Sequence, residues 1–134
     1  MRQELRALAR RAVACKGWRW MPGMLTDVGE RVTDPTICYL GTLPDLSDPA
    51  TLGCLLALVR GAWGDETIGT AATREADGCR GWVIEAWNPL SPANEIGPFS
   101  TEVEALVAAL EAADARGLER VMAWVARWVG PDDD

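Results

Sequence analysis

The strongest hydrophobic pattern in the chain lies between residues 43 and 64. Apolar residues recur there at intervals of three and four, which places them on one face of a helix. Asp48 suits the N-cap position, Pro49 suits the first helical position, and Gly61 or Gly64 can end the helix. The apolar face consists of Leu52, Leu55, Leu56, Val59 and Trp63. We expect the rest of the chain to cover this face.

Three further segments, residues 2–15, 102–115 and 118–129, also have apolar residues at helical spacing. Thr101 and Glu104 have the spacing of a capping box at the start of the second of these segments. The glycine between the last two segments is expected to end or bend the helix that precedes it. The sequence therefore predicts a closing helix and, directly after it, an additional helix at the C-terminus.

Two segments in the middle of the chain predict an antiparallel pair of strands. Residues 82–87 are rich in aromatic and β-branched residues, and their side chains alternate between two faces. Asp77 and Gly78 are typical of a tight turn, so residues 67–73 are the expected partner strand. Residues 36–40 predict a further strand. Together the elements predict an α+β fold, a helix-sheet-helix layered domain with a small, mainly antiparallel sheet and an extra C-terminal helix.

Length and composition are typical of one folded domain, with 134 residues of which 49% are apolar. We assign residues 1–130 to this domain and residues 131–134 to an acidic tail. The net charge of −7 opposes binding to phosphate backbones, so direct binding to nucleic acid is not expected. No apolar run approaches the roughly 20 residues of a membrane crossing, and no signal sequence is recognisable. The sequence therefore predicts a cytoplasmic protein with no membrane partner.

Candidate catalytic chemistry is sparse. The chain has no histidine, which removes histidine acid–base catalysis and the usual nucleophilic triads. Its glycines do not have phosphate-loop spacing, and its four cysteines are dispersed without a CxxC pair. Among the acidic residues, Glu85 on the predicted central strand is the main candidate for carboxylate chemistry. We expect its side chain to face solvent or to pair with an arginine. The sequence predicts a protein that is not an enzyme and that holds no metal or cofactor.

Two clusters of aromatic and basic residues are the candidate binding sites, because these residue types concentrate binding energy at interfaces. The first cluster follows the first helix and comprises Trp18, Arg19, Trp20, Met21 and Met24. It is either a plug at the end of the core or a binding surface. The second cluster lies on the last helix and comprises Trp124, Arg127 and Trp128. Core packing, an interface and a homodimer seam all stay open for this second cluster.

Three segments resemble a family of small, uncharacterised phage and prophage proteins: residues 14–24 (ACKGWRWMPGM), 43–64 (LPDLSDPATLGCLLALVRGAWG) and 100–113 (STEVEALVAALEAA). The second segment is the most distinctive. The arrangement is similar to the phage ABA sandwich domain, which implies a helix-sheet-helix plan with residues 118–129 as an addition. The resemblance also implies a phage or prophage accessory protein in the host cytoplasm, without catalytic residues to carry over.

Two functional hypotheses follow from these observations. The first is a stoichiometric inhibitor or modulator of a host or anti-phage defence protein complex, comparable to an anti-CRISPR protein. The acidic composition favours this hypothesis, because complementary charge speeds association with basic surfaces. The alternative is a protein that binds or sequesters a signalling nucleotide through Trp18, Arg19 and Trp20.

Overall fold

The computed structural model describes the backbone of residues 2–37, 39, 41–74 and 80–129, and their side chains except at 80, 118–121, 123, 124, 128 and 129. The elements are α1 (Gln3–Val13), α2 (Pro49–Trp63), β1 (Gly69–Arg74), β2 (Arg80–Glu85), a 3₁₀ turn (Pro92–Glu95) and α3 (Glu102–Val129). The predicted α+β class with a small antiparallel sheet is confirmed.

Helix α2 forms because its ends are capped by residues of the right type. The Asp48 carboxylate accepts a hydrogen bond from the Thr51 backbone N–H at 3.0 Å, and Gly64 ends the helix with a left-handed φ of 65°. Leu55 and Val59 are fully buried, as the apolar stripe predicts. Leu58 is also buried, although it lies outside the predicted stripe. The buried face is therefore wider than the sequence pattern indicates.

Helix α3 forms the centre of the packing, because it contacts α1, α2 and both strands. Leu106, Val107 and Leu110 are completely buried along this contact face. Thr101 accepts a hydrogen bond from the Glu104 backbone N–H at 3.2 Å, as in a capping box, whereas the Glu104 carboxylate accepts a bond from the Ser100 hydroxyl. Of the two reciprocal hydrogen bonds that define a capping box, the one from the Glu104 backbone N–H to the Thr101 hydroxyl is thus present.

The C-terminal segment 118–129 is helical, as predicted. It continues α3 without a break, so that α3 is 28 residues long and Gly117 does not end the helix. Gly117 lies in the helix interior at an exposed position, where a glycine costs only about 1 kcal/mol relative to alanine. The tail at residues 131–134 lies outside the described residues.

Strands β1 and β2 pair antiparallel in the predicted region of the chain, with Gly69 opposite Glu85 and Ala72 opposite Trp82. The predicted turn at 77–78 lies outside the described residues. After the 3₁₀ turn the chain returns to β2, where the backbones of Trp82 and Phe99 exchange two hydrogen bonds of 2.7 and 2.8 Å. Ile84 of β2 is buried against the helices.

The predicted strand at residues 36–40 is wrong for the residues that the structure describes there. Thr36, Ile37 and Tyr39 are not in a strand, and residues 38 and 40 lie outside the described part of the chain. The Asp34 carboxylate accepts bonds from the backbone N–H and the hydroxyl of Thr36, at 2.9 and 2.7 Å. This local bonding favours a turn over an extended strand.

Replacing Asp48 with alanine is expected to lower the free energy of unfolding by about 1–2 kcal/mol at neutral pH, because the carboxylate caps α2. It also pairs with Arg31 at 2.6 Å, and these bonds, the one from Arg31 above all, lower the pKa of Asp48. A carboxyl group with a lowered pKa stabilises the fold above its unfolded-state pKa and loses that contribution as the pH falls through the folded pKa.

Urea denaturation of both proteins at neutral pH and in acid measures this effect. The difference in free energy of unfolding between the wild type and the alanine variant should become smaller in acid. An unchanged difference would contradict the role of the ionised carboxylate. Asp48→Asn is the matched control, because an amide oxygen can still cap the helix.

Candidate protein-binding surfaces

The tryptophans of the first predicted cluster form an aromatic wall against the core. Trp18 and Trp20 are half-buried, and their ring centroids lie 5.5 Å apart in an edge-to-face arrangement. Trp20 also contacts Tyr39, with 5.1 Å between the ring centroids. Much of both indoles therefore serves core packing, as the plug interpretation predicts.

The outer side of this wall is an open groove of about 390 Å³. Arg19 and Ile37 both contribute to its lining, and both side chains are exposed. The two methionines of the cluster lie deeper: Met21 is half-buried, and Met24 is completely buried, with its sulfur accepting a hydrogen bond from the Met21 backbone N–H at 3.3 Å. Met24 is thus a core residue and cannot contact a partner, which corrects its assignment as a binding residue.

The second predicted cluster lies on the C-terminal part of α3. Arg127 is exposed, and so are the neighbouring Met122 and Val125. The side chains of Trp124 and Trp128 lie outside the described residues. The choice between core packing and an interface for this cluster therefore stays a prediction.

The structure has a third candidate binding surface, which the sequence did not predict. Trp87 and Leu90 project from the loop after β2, with 85% and 87% of their surfaces exposed. The sequence pattern extends the strand through Trp87, whereas β2 ends at Glu85. The signal that could have revealed the surface is the segment Trp87-Asn88-Pro89-Leu90, in which two large apolar residues flank two residues typical of turns.

Hydrogen bonds hold the loop that carries Trp87. The Trp87 backbone N–H donates to the Thr67 hydroxyl at 3.0 Å, and the Ala86 N–H donates to the Asn94 side-chain oxygen at 2.8 Å. The Asn94 amide N–H in turn donates to the Asn88 carbonyl at 2.8 Å. These bonds tie the loop to the segment just before β1 and to the 3₁₀ turn, so the backbone that carries the exposed indole is held in place.

A groove of about 630 Å³ opens beside Trp87. Its described lining consists of Thr67, Gly69, Glu85, Ala86, Trp87, Pro89 and Asn94. Glu85 is exposed, and it forms no ion pair with any side chain that the structure describes. The strand partner of Glu85 is Gly69, which has no side chain to cover the carboxylate.

Neither of the two described cysteines has the features of a nucleophile. Burial raises the pKa of the Cys15 thiol to about 11, and burial also raises the pKa of Cys54. Both thiols are therefore protonated near neutral pH, whereas the thiolate is the reactive form. Within the described residues, no group of three or more cysteine and carboxylate side chains could hold a metal ion.

Comparisons with protein-family models, with curated proteins and with solved structures found no match to this chain. The resemblance to phage proteins therefore stays a prediction. Across the described ranges, no helix combines the length and the apolar character that a membrane crossing requires.

Proposed function

We propose that this protein acts by stoichiometric binding to a protein partner and that it is not an enzyme. The observation that carries the proposal is the exposure of Trp87 and Leu90 on a braced loop. The resemblance to phage proteins suggests a host or anti-phage defence complex as the partner and the host cytoplasm as the location. In that setting the protein would block or modulate the complex by covering one of its surfaces.

An exposed tryptophan on an ordered loop is favourable for binding in two ways. Covering a tryptophan removes about 150–250 Å² of surface from water, which makes this residue type a frequent hot spot. The hydrogen bonds from Trp87 to Thr67 and from Ala86 to Asn94 already order the backbone. Binding therefore costs little additional conformational entropy at this loop.

Charge supports a partner with a basic surface. The chain carries 20 acidic and 13 basic residues, so its net charge is −7. Complementary charge raises the association rate and suppresses partners of the same sign. We therefore expect the association rate with the partner to fall as the salt concentration rises.

The double variant Trp87→Ala/Leu90→Ala tests this proposal by affinity purification from host cells, with mass spectrometry of the recovered proteins. The wild type should recover one partner in stoichiometric amounts, and the double variant should lose it. Val28→Ala is the control, because Val28 is also an apolar side chain, 68% exposed, and does not line the groove beside Trp87. Recovery of the same complex by the double variant, or of no enriched partner by the wild type, would contradict the proposal.

The second candidate function is binding of a small signalling nucleotide in the groove beside Trp18, Arg19 and Trp20. Its support is the combination of indole rings and one exposed guanidinium around about 390 Å³ of space, since rings can stack on a base and a guanidinium can pair with phosphate. A nucleotide panel in a thermal-shift assay tests it. A ligand that stabilises the wild type but not Arg19→Ala supports this function, and no shift with any nucleotide contradicts it.

A further inference from the structure

We propose that the groove beside Trp87 receives an arginine side chain of the protein partner, with Glu85 pairing with the guanidinium and the Trp87 indole stacking on it. This inference rests on the proposed function, because it names the partner chemistry that the same surface recognises. The occupant is therefore a segment of a protein with an exposed arginine.

The sheet opens the space that such a side chain needs. Glu85 and Gly69 lie directly opposite each other in the ladder, and directly opposite residues share a face of the sheet. Because residue 69 is glycine, the position next to the carboxylate is empty. A Cβ atom placed there would meet no heavy atom within 4 Å, which shows how much room remains beside Glu85.

The groups around this space match a guanidinium. Glu85 is the one charged side chain among the described lining residues, and both carboxylate oxygens can accept a forked pair of N–H bonds. Trp87 lines the same groove as Glu85, so its ring is placed to contact a cation that enters the groove. The protein already contains one such contact, since the Arg116 guanidinium lies 4.9 Å from the centroid of the Trp63 ring.

The other polar side chains of the described lining, those of Asn94 and Thr67, already form hydrogen bonds within the protein. The Asn94 amide accepts from the Ala86 N–H and donates to the Asn88 carbonyl. The Thr67 hydroxyl accepts from the Trp87 N–H and donates to the Asp65 carboxylate at 2.6 Å. The hydrogen bonds from the Thr67 hydroxyl and backbone N–H lower the pKa of Asp65, so a second ionised carboxylate is bonded to a residue of the groove lining. The local charge therefore favours a cation and opposes a phosphate or carboxylate ligand.

Arginine fits this set of groups better than lysine. Its guanidinium is planar, so one side chain can stack on an indole and present a fork to a carboxylate, and it is less strongly hydrated than an ammonium group. A lysine ammonium is a compact, strongly hydrated point charge that has neither a planar face to stack on the indole nor a fork to match the carboxylate. We therefore expect the groove to bind arginine more tightly than lysine.

Titration with N-acetyl-arginine amide, observed through the indole N–H signals of ¹⁵N-labelled protein, tests this inference. The Trp87 signal, assigned by its loss in Trp87→Phe, should shift and saturate. Nα-acetyl-lysine amide, which keeps its charged ε-ammonium, should bind at least about threefold more weakly, because an ammonium group cannot stack on the indole and form a forked pair with the carboxylate at once. No shift of the Trp87 signal with the arginine amide, or equal binding of both amides, would overturn the inference.

Two variants locate the binding within the groove. Glu85→Gln should weaken arginine binding roughly fivefold or more by removing the charge, and Glu30→Gln, an exposed acid in another loop, is its control. Gly69→Val should abolish binding by filling the space beside Glu85, while its urea midpoint stays close to that of the wild type, because a Cβ atom at this position meets no heavy atom within 4 Å and valine favours a strand. Undiminished binding in either variant would overturn the inference.

These results are separable from those for the proposed function. If the arginine amide fails to shift Trp87 while the Trp87→Ala/Leu90→Ala variant still loses its partner, the arginine inference is wrong and the protein-binding function stands. If the arginine amide binds as expected but the double variant keeps its partner, the surface is not the partner site, and the proposed function fails there.

Discussion

Replacing Leu55 with alanine is expected to lower the free energy of unfolding by about 3 kcal/mol, within the usual range of about 2–5 kcal/mol for a buried leucine. Leu55 is completely buried in α2, the helix that packs against α3. Shortening its isobutyl group to a methyl loses apolar burial and leaves a cavity in the core. Urea denaturation, followed by circular dichroism at neutral pH, measures this loss.

The control for this prediction is the same substitution at Leu90, which is 87% exposed. Leu90→Ala should change the free energy of unfolding by less than about 0.5 kcal/mol, because it leaves no cavity. The pair therefore separates burial from the chemical change itself. Equal losses in both variants would show that Leu55 is not in the core or that Leu90 is not exposed.

The helices could be predicted because their signals are local. In α2 the cap at Asp48, the proline at position 49 and the apolar spacing all lie within one short segment. The width of the buried face could not be predicted, because it depends on how many elements pack against the helix. Leu58 is buried since α2 belongs to a core covered from more than one side, which the spacing of its own residues does not encode.

Segment 36–40 shows the opposite case. Its aromatic and β-branched residues favour a strand, but a strand also needs a partner with free backbone groups. Asp34 instead bonds Thr36 locally, and this competition depends on a side chain outside the predicted strand. The true hairpin, β1 with β2, was predictable because the turn signal and the alternation support each other.

The candidate sites divide in the same way. Aromatic and basic residues in one segment are visible in a sequence, so Trp18, Arg19 and Trp20 could be selected, but the choice between a plug and a binding surface could not be made, because it depends on how far each side chain is buried in the fold. Trp87 was assigned to a strand because it continues an alternating pattern. Its exposure results from the end of β2 at Glu85 and from the bracing by Thr67 and Asn94, which are tertiary features.

Replacing Gly97 with alanine is expected to lower the free energy of unfolding by at least about 2 kcal/mol, because the native backbone excludes a side chain there. Gly97 has a φ of 110°, which L-residues rarely adopt. A Cβ atom would lie 2.7 Å from the Trp82 carbonyl oxygen and 3.1 Å from the Val83 Cα. Both contacts are with the backbone of β2, so no side-chain rotation can relieve them.

The matched control is Gly53→Ala in α2, where a Cβ atom meets nothing within 4 Å. This substitution should raise the free energy of unfolding by about 0.5–1 kcal/mol, because alanine favours a helix over glycine. Urea denaturation of the two variants should therefore give changes of opposite sign. A neutral Gly97→Ala would contradict the close approach to β2.

Gly97→Ala is also expected to affect the proposed binding surface at Trp87. The chain around Gly97 is bound to β2 on both sides, by the bond from Ile84 to Ile96 and by the pair between Trp82 and Phe99. The 3₁₀ turn just before it supplies Asn94, which braces the loop of Trp87. Displacing this segment should therefore weaken arginine binding at Trp87 in the protein that remains folded, whereas Gly53→Ala should leave the binding unchanged.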